Sequence, residues 1–496
     1  MQSNNTFYPS YREFTRLAKS ANIIPVYTEI LSDIETPVSV LLKLKHLSYP
    51  FLLESVEGGE KWARYSFIGF EPSVIFRINY KDVFITEHGR THAYYNTDDP
   101  LALLKTKLKE YRPATIKGLP RFVGGAVGYF GYDIVKTFEK VPDLKKKSPD
   151  FDDVFLLFTD KLVIFDNLKH TIIILSNAFI NDDIDPEKAY RTAVASIKRV
   201  VSILNMPLKK NRQRKSYSVK PFKSNMSQKA FEDMVIKGKE HIINGDIIQV
   251  VLSQRFFSPT RIDPVSFYRA LRLINPSPYM FFFDFKDKYL IGSSPEVLVR
   301  FEDGKVIIRP IAGTRRRGKT TEEDKVLEKE LIEDEKERAE HVMLVDLARN
   351  DIGRIAKVGT VHVDELMTIE KYSHVMHIVS EVSGIALENK DAIDILKSAF
   401  PAGTLSGAPK VKAMEIIEQL EKENRGPYGG AVGYISYTGS MDTCIAIRTA
   451  FIDKRGVYVQ SGAGIVYDSV PEKEYLETRS KAQALMEALK IAAEIP

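Results

Sequence analysis

The sequence predicts an α+β protein in which a unit of one helix and about three antiparallel strands is repeated. Three observations lead to this fold class. Short runs rich in β-branched and aromatic residues alternate with turn residues along the chain, as in RFVGGAVGYFGYD and VYVQSGAGIVYD. Longer segments with helical periodicity separate these runs. The letters GGAVGY occur twice, at 124–129 and 429–434, each time in a strand that follows a helix, which indicates internal duplication.

The composition is that of a globular protein and points to neither a nucleic-acid partner nor a membrane. Hydrophobic residues make up 44% and charged residues 28% of 496 positions, and the formal net charge is only +5. No run of about 18 apolar residues and no signal peptide is evident. The single cysteine, Cys444, is expected as a buried strand thiol, which fits a reducing cytoplasm. The chain therefore has no cysteine-dependent glutaminase of its own.

The first region, residues 1–208, is expected to contain many short strands and two helices. The strands are YSFIGF, SVIFRIN, DVFITEHG, RFVGGAVGYFGYD, FLLFTDKLVIFDN and HTIIILSNAF, and the helices are PLALLKTKLKEYR and PEKAYRTAVASIKRVVSIL. Residues 209–225 are basic and polar. No aromatic platform or reading helix accompanies them, so they are predicted to be a linker.

The remaining region, residues 226–496, begins with a helix that Ser227 caps and that stops at Asn244 and Gly245. The strand IIQVVLSQRFF follows, and then three strands with turns at KDK and EDG. Thr320 is expected to cap one long acidic helix that runs towards residue 350. FPAGTLSGAPK is a loop that leads into a helix. Three strands follow it, and a final helix starts near Pro471.

Two predicted helices each carry a pair of glutamates three residues apart. Glu337 and Glu340 share one helix face, and Glu474 and Glu477 share another. Two such pairs could hold one Mg²⁺ ion, which prefers a few carboxylates together with water and substrate oxygens. The chain has neither a cysteine cluster nor an HExxH motif, which argues against zinc. Spacing alone leaves open that these are simply solvated acidic faces.

A second pattern indicates an anion site. Gly462 and Gly464 follow a strand, and small residues of this kind expose backbone N–H groups. Arg448 lies in the run CIAIRTAF and is expected at the centre of a strand. A buried arginine there needs a carboxylate or phosphate partner. FPAGTLSGAPK lacks the order GxxxxGK[ST], so a substrate-lining loop fits it better than a nucleotide loop.

Several long motifs, in this order, resemble those of the chorismate-using enzymes. They are SSPE, PIAGT, ERAEHVMLVDLARND, FPAGTLSGAPK, GPYGGAVGY, QSGAGIV and EKEYLETRSKA. The resemblance runs from about residue 50 to the C-terminus and is closest to the large subunits of anthranilate synthases. It implies a four-layer α/β/β/α sandwich. It also implies the first step of tryptophan biosynthesis, in which chorismate and ammonia give anthranilate and pyruvate.

The resemblance also assigns roles to residues. Glu340 and Glu477 match the glutamates that bind Mg²⁺, and Glu337 and Glu474 match acidic residues that hold the waters of the metal. Glu296 of SSPE matches the proton donor for loss of the C4 hydroxyl. The other matches are catalytic His377 and Thr404, and substrate-binding Ala312, Gly313, Thr314, Tyr428, Arg448, Gly462, Ala463 and Gly464. Arg448 is expected to pair with the enolpyruvyl carboxylate.

Two positions separate this chain from sister enzymes. Water-using relatives carry a lysine base where this chain has Gln249, and one type of aminodeoxychorismate synthase carries a lysine where this chain has Ala312. Both positions favour ammonia as nucleophile and anthranilate as product. Some aminodeoxychorismate synthases lack that lysine, so this alternative stays open. A non-catalytic amino-acid-binding regulator is disfavoured, because the five main catalytic and binding residues, Glu296, Glu340, His377, Arg448 and Glu477, are all present.

The resemblance further implies a tryptophan feedback site and a partner. LLES and NPSPYMF match the inhibitor-binding segments, and the residues concerned are Glu54, Ser55, Asn275, Pro276, Met280 and Phe281. The alternative is a plain strand and a proline turn. LLES is followed by Val56, where relatives often have alanine. Since the chain has no glutaminase nucleophile, ammonia is expected from a separate glutamine amidotransferase subunit.

Overall fold

Two large antiparallel sheets form the centre of the protein, each with twelve strands in the described part of the chain. The structure is a computed structural model, and it describes residues 6–56, 64–145, 151–181, 184–208, 217–372 and 375–495. Strands and helices are numbered below in chain order. None of the helices in the described part of the chain combines the length and the apolar character that a membrane crossing requires.

The first sheet, sheet I, contains strands from both predicted regions. In spatial order they are β1 (Ile23–Leu31), β10 (Thr171–Phe179), β9 (Lys161–Asp166), β3 (Tyr65–Gly69), β2 (Phe51–Glu54), β13 (Tyr279–Asp284), β14 (Lys288–Ser294), β23 (Thr449–Asp453), β24 (Gly456–Ile465), β12 (Gln249–Ser258) and β11 (Lys223–Ser224), with β20 (Gly407–Ala408) paired to β12.

The second sheet, sheet II, is built in the same way. Its strands are β17 (Ile311–Arg316), β19 (Val375–Ile385), β16 (Lys305–Ile308), β15 (Val297–Glu302), β22 (Met441–Ile445), β21 (Ala431–Ser436), β7 (Gly125–Phe130), β8 (Val154–Thr159), β4 (Val74–Asn79), β5 (Asp82–Glu87) and β6 (Arg90–Tyr94), with β18 (His362–Lys371) paired to β19.

Helices cover the outer faces of both sheets. They are α1 (Tyr11–Leu17), α2 (Pro37–Leu44), α3 (Pro100–Lys109), α4 (Pro186–Leu204), α5 (Gln228–Ile243), α6 (Pro264–Ile274), α7 (Thr321–Glu333), α8 (Glu335–Gly353), α9 (Ala392–Ala399), α10 (Gly403–Ser406), α11 (Lys410–Leu420) and α12 (Pro471–Glu494), with a short 3₁₀ helix at Tyr132–Thr137.

Three apolar clusters define the layers. Leu41 of α2 and Leu489 of α12 pack on one face of sheet I. Phe281 of sheet I and Phe155 of sheet II meet in a second cluster between the sheets. Val345 of α8 belongs to a third cluster on the outer face of sheet II. The order is therefore helix, sheet, sheet, helix, which confirms the predicted four-layer α/β/β/α sandwich.

The two GGAVGY copies pair with each other. β7 and β21 run antiparallel in sheet II, and Gly128 lies opposite Gly433. A Cβ on Gly128 would stand 2.0 Å from the Phe155 carbonyl oxygen, and one on Gly433 would stand 2.1 Å from that of Asp442. Only glycine fits such close approach to the neighbouring backbone. The repeat thus joins the two halves of the chain at the middle of a sheet. The domain division at 209–225 stays a prediction, because residues 209–216 lie outside the described residues.

Most local predictions agree with the structure. Ser227 caps α5 through the amide of Ala230, and the helix ends at Asn244. α4 spans the predicted residues 186–204. Cys444 is a free, buried thiol in β22. These elements were predictable because their caps and periodicity are local properties of the sequence.

Two predictions within residues 279–353 are wrong. The segment 279–316 holds five strands instead of three, because Pro295 and Pro310 cannot donate to a ladder and interrupt it. The acidic helix beginning at Thr320 is two helices. Asp334 is extended between them and caps the second one by accepting from the amides of Lys336 and Glu337.

Candidate active site

One pocket of about 1350 Å³ gathers residues from both sheets and from helices α8 and α12. Every predicted catalytic, substrate-binding and metal-binding residue except Ala463 lines it. These residues are Glu296, Ala312, Gly313, Thr314, Glu337, Glu340, His377, Thr404, Tyr428, Arg448, Gly462, Gly464, Glu474 and Glu477. Side chains that are far apart in sequence therefore share one site, and this grouping follows from the fold alone.

Glu296 and Arg448 lie where the chain passes from one sheet to the other. Glu296 lies between β14 of sheet I and β15 of sheet II, and Arg448 lies between β22 of sheet II and β23 of sheet I. The two crossings are held side by side. The Ser293 amide donates to the Arg448 carbonyl at 3.1 Å, and the Ile445 amide donates to the Glu296 carbonyl at 3.0 Å. Their side chains can therefore act on one small ligand.

The prediction that Arg448 occupies a strand centre is wrong. The run CIAIRTAF is interrupted after Ile445, and Arg448 has φ +51°, outside the β region, because the chain changes sheets there. Burial lowers the pKa of Arg448, while Tyr428, Glu296 and Glu477 act against that shift. Within the described residues no carboxylate lies at ion-pair distance from Arg448. A half-buried guanidinium of this kind can receive an anionic ligand.

Glu296 has the electrostatics of a general acid. Burial raises its pKa to about 7. A hydrogen bond from the Thr404 hydroxyl, at 2.9 Å, and the more distant charges of Lys481 and Arg448 oppose the rise. A carboxyl group with this pKa keeps a proton near neutral pH and can donate it within the pocket.

His377 lines the pocket through an imidazole whose tautomer the backbone fixes. Its Nδ1 lies 2.8 Å from the Gly313 carbonyl oxygen and 3.1 Å from the Thr314 hydroxyl. Because a carbonyl only accepts, Nδ1 carries the proton. A β-bulge between Ala312 and Arg315 in β17 shifts the register beside it. Burial lowers the pKa of His377, so the ring is neutral with a lone pair on Nε2.

The four glutamates predicted for metal binding line the same pocket from two helices. Glu337 and Glu340 come from α8, and Glu474 and Glu477 come from α12. Burial raises the pKa of Glu340, and the charges of Glu337 and Glu477 raise it further. Burial also raises the pKa of Glu474, with Glu477 adding to the effect. Like charges held this close favour a cation between them.

The donor set fits a hard divalent ion, but a finished metal site is not preassembled. In the ranges that the structure describes, no three His, Cys, Asp or Glu side chains come close enough together to form one. Gln249 interacts with Glu340 and lowers the pKa of its carboxyl, and Glu477 pairs with Lys481 Nζ at 2.6 Å. Mg²⁺ binding through few carboxylates with water and substrate oxygens is compatible with this arrangement.

The strand β24 forms a close-fitting wall. A Cβ on Gly462 would stand 2.8 Å from the Tyr428 hydroxyl, and one on Gly464 would stand 2.7 Å from Gln249 Nε2. Ala463 between them faces the other way and packs in an apolar cluster with α5 and α11. Since side chains alternate along a strand, only the backbone of Ala463 is available to a ligand.

These features can be compared with known proteins. Residues 50–487 match the chorismate binding enzyme family. The chain is a member of that family. It is 52% identical to anthranilate synthase component 1 of Aquifex aeolicus over 98% of both proteins. It is 49% identical to that of Acetivibrio thermocellus, over 99% of this chain and 100% of the relative. Relatives at this identity group the chain with anthranilate synthase component 1 proteins.

Solved structures of chorismate binding enzymes share the fold. Anthranilate synthase component I from Streptococcus pneumoniae superposes with a TM-score of 0.75 at 36% identity, covering 92% of this chain and 99% of that one. The menaquinone-specific isochorismate synthase of Escherichia coli gives a TM-score of 0.72 at 17% identity, over 97% and 99% of the two chains. The second similarity shows the fold alone.

Lys481 also lines the pocket of this chorismate binding enzyme, although it was not among the site residues predicted from the sequence. Its ammonium group contacts Glu477 and lies 3.2 Å from the Gly462 carbonyl oxygen, so it connects α12 to β24. Lys481 also opposes the pKa rise of Glu296. The available signal was its position four residues after Glu477 on one helix face, a spacing that also occurs in ordinary surface ion pairs.

The two segments predicted for tryptophan binding are neighbours in sheet I. β2 pairs with β13, and Glu54 lies opposite Met280. Ser55 and Pro276 lie just outside these strands and are half-buried. Met280 packs against the outer helices, whereas Phe281 packs between the sheets, because adjacent strand residues point to opposite faces. The structure thus brings the segments together, and the role of each residue stays a prediction.

Polar groups of these segments already have partners. The Glu54 carboxylate is buried and accepts from the Tyr268 hydroxyl and from Arg272 Nε, the latter at 2.7 Å. Asn275 Nδ2 donates to the Ser293 hydroxyl at 3.3 Å, and that hydroxyl donates to the Asn275 carbonyl. An incoming ammonium group would have to share Glu54 with Arg272.

Proposed function

We propose that this chain is the chorismate-converting component of an anthranilate synthase. In this reaction chorismate and ammonia give anthranilate, pyruvate and one water. One observation carries the proposal: a single pocket contains the four glutamates of α8 and α12, an arginine with no carboxylate partner among the described residues, and a glutamate, Glu296, with a pKa of about 7. Chorismate has two carboxylates and a hydroxyl that must leave, so it requires two sites of positive charge and a proton donor.

The two carboxylates of chorismate would be held at separate places. Arg448 would pair with the enolpyruvyl carboxylate, beside Tyr428 and the backbone of Gly462 and Gly464. Glu340 and Glu477 would hold Mg²⁺. The bound ion supplies positive charge that anchors the ring carboxylate and draws electron density from the allylic system. Glu337 and Glu474 would hold the waters of the metal.

Proton transfer would start at Glu296. Its protonated carboxyl donates to the C4 hydroxyl, which leaves as water while ammonia attacks C2. Thr404 fixes the carboxyl through the hydroxyl contact at 2.9 Å. Neutral His377 contacts the ring, and Ala312, Gly313 and Thr314 line it. Loss of the C2 proton and of pyruvate then gives the aromatic product. The pocket contains several candidate bases for this last step, and none is singled out.

The choice of nucleophile is supported by two uncharged side chains. Gln249 is buried and interacts with the Glu340 carboxylate, while its Oε1 has no hydrogen-bond partner in the described residues. A neutral amide cannot deprotonate water, whereas ammonia attacks through its own lone pair and needs no such base. Ala312 offers no nucleophile that could attack the ring. Both positions favour amination by free ammonia.

Ammonia would be delivered by a separate glutamine amidotransferase subunit in the cytoplasm. Cys444 is the one cysteine of the sequence, and burial raises the pKa of its thiol, so it cannot act as a glutaminase nucleophile. The proposed feedback inhibitor is L-tryptophan, bound at the β2 and β13 segments.

Product identification tests this proposal. The purified chain is incubated with chorismate and Mg²⁺, and with either ammonium or glutamine, and products are separated by chromatography. We expect ortho-aminobenzoate with ammonium and none with glutamine. Formation of 4-amino-4-deoxychorismate would assign the chain to the sister reaction, and isochorismate would show that water is the nucleophile.

Saturating tryptophan is expected to raise the KM for chorismate, and unchanged kinetics would remove the feedback site from the proposal.

A further inference from the structure

A buried ion pair adjoins the pocket without belonging to it. Arg425 lies between α11 and β21, and Glu421 ends α11; their exposed fractions are 1% and 5%. Arg425 Nε lies 2.9 Å from Glu421 Oε2, and Nη2 lies 2.6 Å from Oε1. Neither side chain is among those that line the pocket. The predicted catalytic roles leave this pair unexplained.

The remaining donors of Arg425 end on two segments that do line the pocket. Nη1 donates to the Leu405 carbonyl at 2.6 Å, and Leu405 directly follows Thr404. Nη2 donates to the Val251 carbonyl at 2.7 Å, and Val251 lies on β12 two residues after Gln249. One planar group therefore fixes the distance between the α10 turn and the β12 strand.

The pair reaches two further parts of the wall. The guanidinium carbon lies 5.7 Å from the ring centroid of Tyr428. Glu421 Oε1 accepts from both the amide and the hydroxyl of Ser253 at 2.8 Å. The same hydroxyl accepts from Gln460 Nε2 at 2.9 Å, and Gln460 lines the pocket. Four pocket segments thus meet at one pair of charges.

We propose that Arg425 and Glu421 are positioning residues, which hold the α10 turn, β12 and Tyr428 at the spacing that chorismate binding requires. The inference rests on the proposed function for the identity of the ligand. Stability alone does not explain the pair, because apolar residues of similar volume often replace a buried ion pair without loss of stability. An apolar pair, however, cannot donate to two carbonyls in fixed directions, as the guanidinium does.

The test uses the full chain in the ammonium-dependent assay. Removing one partner leaves an uncompensated buried charge, so the main variant is the double substitution Arg425→Met with Glu421→Met. Arg425→Lys keeps the positive charge but lacks the planar, forked arrangement of N–H donors that the guanidinium has. The matched control is Arg300→Met with Asp442→Leu, a buried pair at 2.7 Å whose members do not line the pocket. Thermal unfolding, KM for chorismate and kcat are measured for each variant.

We expect the Arg425 and Glu421 double variant to keep a cooperative unfolding transition and to show a KM for chorismate raised at least about tenfold. Arg425→Lys should raise KM in the same direction, and the control should leave KM unchanged. A purely structural role would lower the melting temperature or the active fraction without moving KM.

Three results would overturn the inference: wild-type KM in the folded double variant, wild-type KM in Arg425→Lys if the double variant does not fold, or an equal rise in the control. An inactive wild-type chain would instead contradict the proposed function, since the variants are compared with the wild type.

Discussion

Glu296 shows how a single side chain acquires reactivity from its place in the fold. Its carboxyl is enclosed by protein, and its one close donor among the described residues is the neutral Thr404 hydroxyl, so burial outweighs the stabilisation of the charged form and the pKa rises to about 7. An exposed glutamate near pH 7 is almost always ionised. The same residue type is therefore ionised on an exposed surface and keeps its proton near neutral pH at the sheet crossing.

The first prediction concerns this proton. Glu296→Gln removes it and is expected to lower kcat by about 10²- to 10⁴-fold without unfolding the chain. In the unsubstituted chain the protonated form predominates below the pKa of about 7. We therefore expect kcat/KM for chorismate, at a constant concentration of un-ionised ammonia, to fall as pH rises above that value.

Steady-state kinetics at pH values on both sides of that pKa check this prediction, with the exposed Glu330→Gln as control. Full activity of Glu296→Gln, or a flat pH profile, would show that another group supplies the proton.

Membership of the pocket was predictable for residues that a motif singles out and not for residues whose position depends on packing between distant segments. SSPE, PIAGT and the paired glutamates all contribute residues that line the pocket. Lys481 and Arg425 were not predicted. A lysine four residues after a glutamate is common on helix surfaces, and no local sequence pattern indicates that a loop arginine is buried. Burial of a charged side chain depends on packing from distant parts of the chain.

At the scale of the element, the sheet crossings were the feature that sequence patterns concealed. The run CIAIRTAFI alternates as one strand would, because a change of sheet after Ile445 leaves the side-chain period of two on either side. The left-handed conformation of Arg448 cannot be read from such a pattern. Helix ends, in contrast, were well predicted, because caps such as Ser227 are local.

The second prediction concerns the glycine wall of β24. Gly464→Ala would place a methyl group 2.7 Å from Gln249 Nε2, the flexible end of that side chain. Gln249 can move away, but its amide then leaves the neighbourhood of the Glu340 carboxylate, whose pKa it lowers. We expect a folded protein whose kcat/KM for chorismate is lowered on the order of tenfold, about 1.4 kcal/mol of transition-state binding.

Kinetics and thermal unfolding of the two alanine variants check this expectation. Gly353→Ala is the matched control, because no described atom beyond the chain neighbours and the local helix backbone lies within 4 Å of the added Cβ. Equal kinetics in both variants would mean that the wall tolerates a methyl group and that Gly464 has no role in binding.

At the scale of the whole molecule, the sequence indicated a duplication but did not show that the two GGAVGY strands pair with each other. GGAVGY indicated repeated units, whereas the pairing of Gly128 with Gly433 is a contact across 305 positions. No local propensity encodes such a partner. The four layers followed from the family resemblance and were then confirmed by the three apolar clusters.

The sheets also connect the proposed regulatory segments to the pocket. β13 pairs with β14, and β14 pairs with β23, which starts directly after Arg448. Ser293 on β14 bonds to Asn275 through its hydroxyl and to the Arg448 carbonyl through its amide. The buried residue Ser293 therefore links Asn275 directly to the backbone of Arg448.

The central claim is that two sheet crossings and two acidic helices together hold one chorismate molecule. A crystal structure of the Glu296→Gln variant with chorismate and Mg²⁺ tests it most directly, because the variant should bind the substrate without turning it over. We predict that the enolpyruvyl carboxylate contacts Arg448 and that the metal lies between Glu340, Glu477 and the ring carboxylate. Chorismate bound away from Arg448, or a metal held by other side chains, would contradict the account.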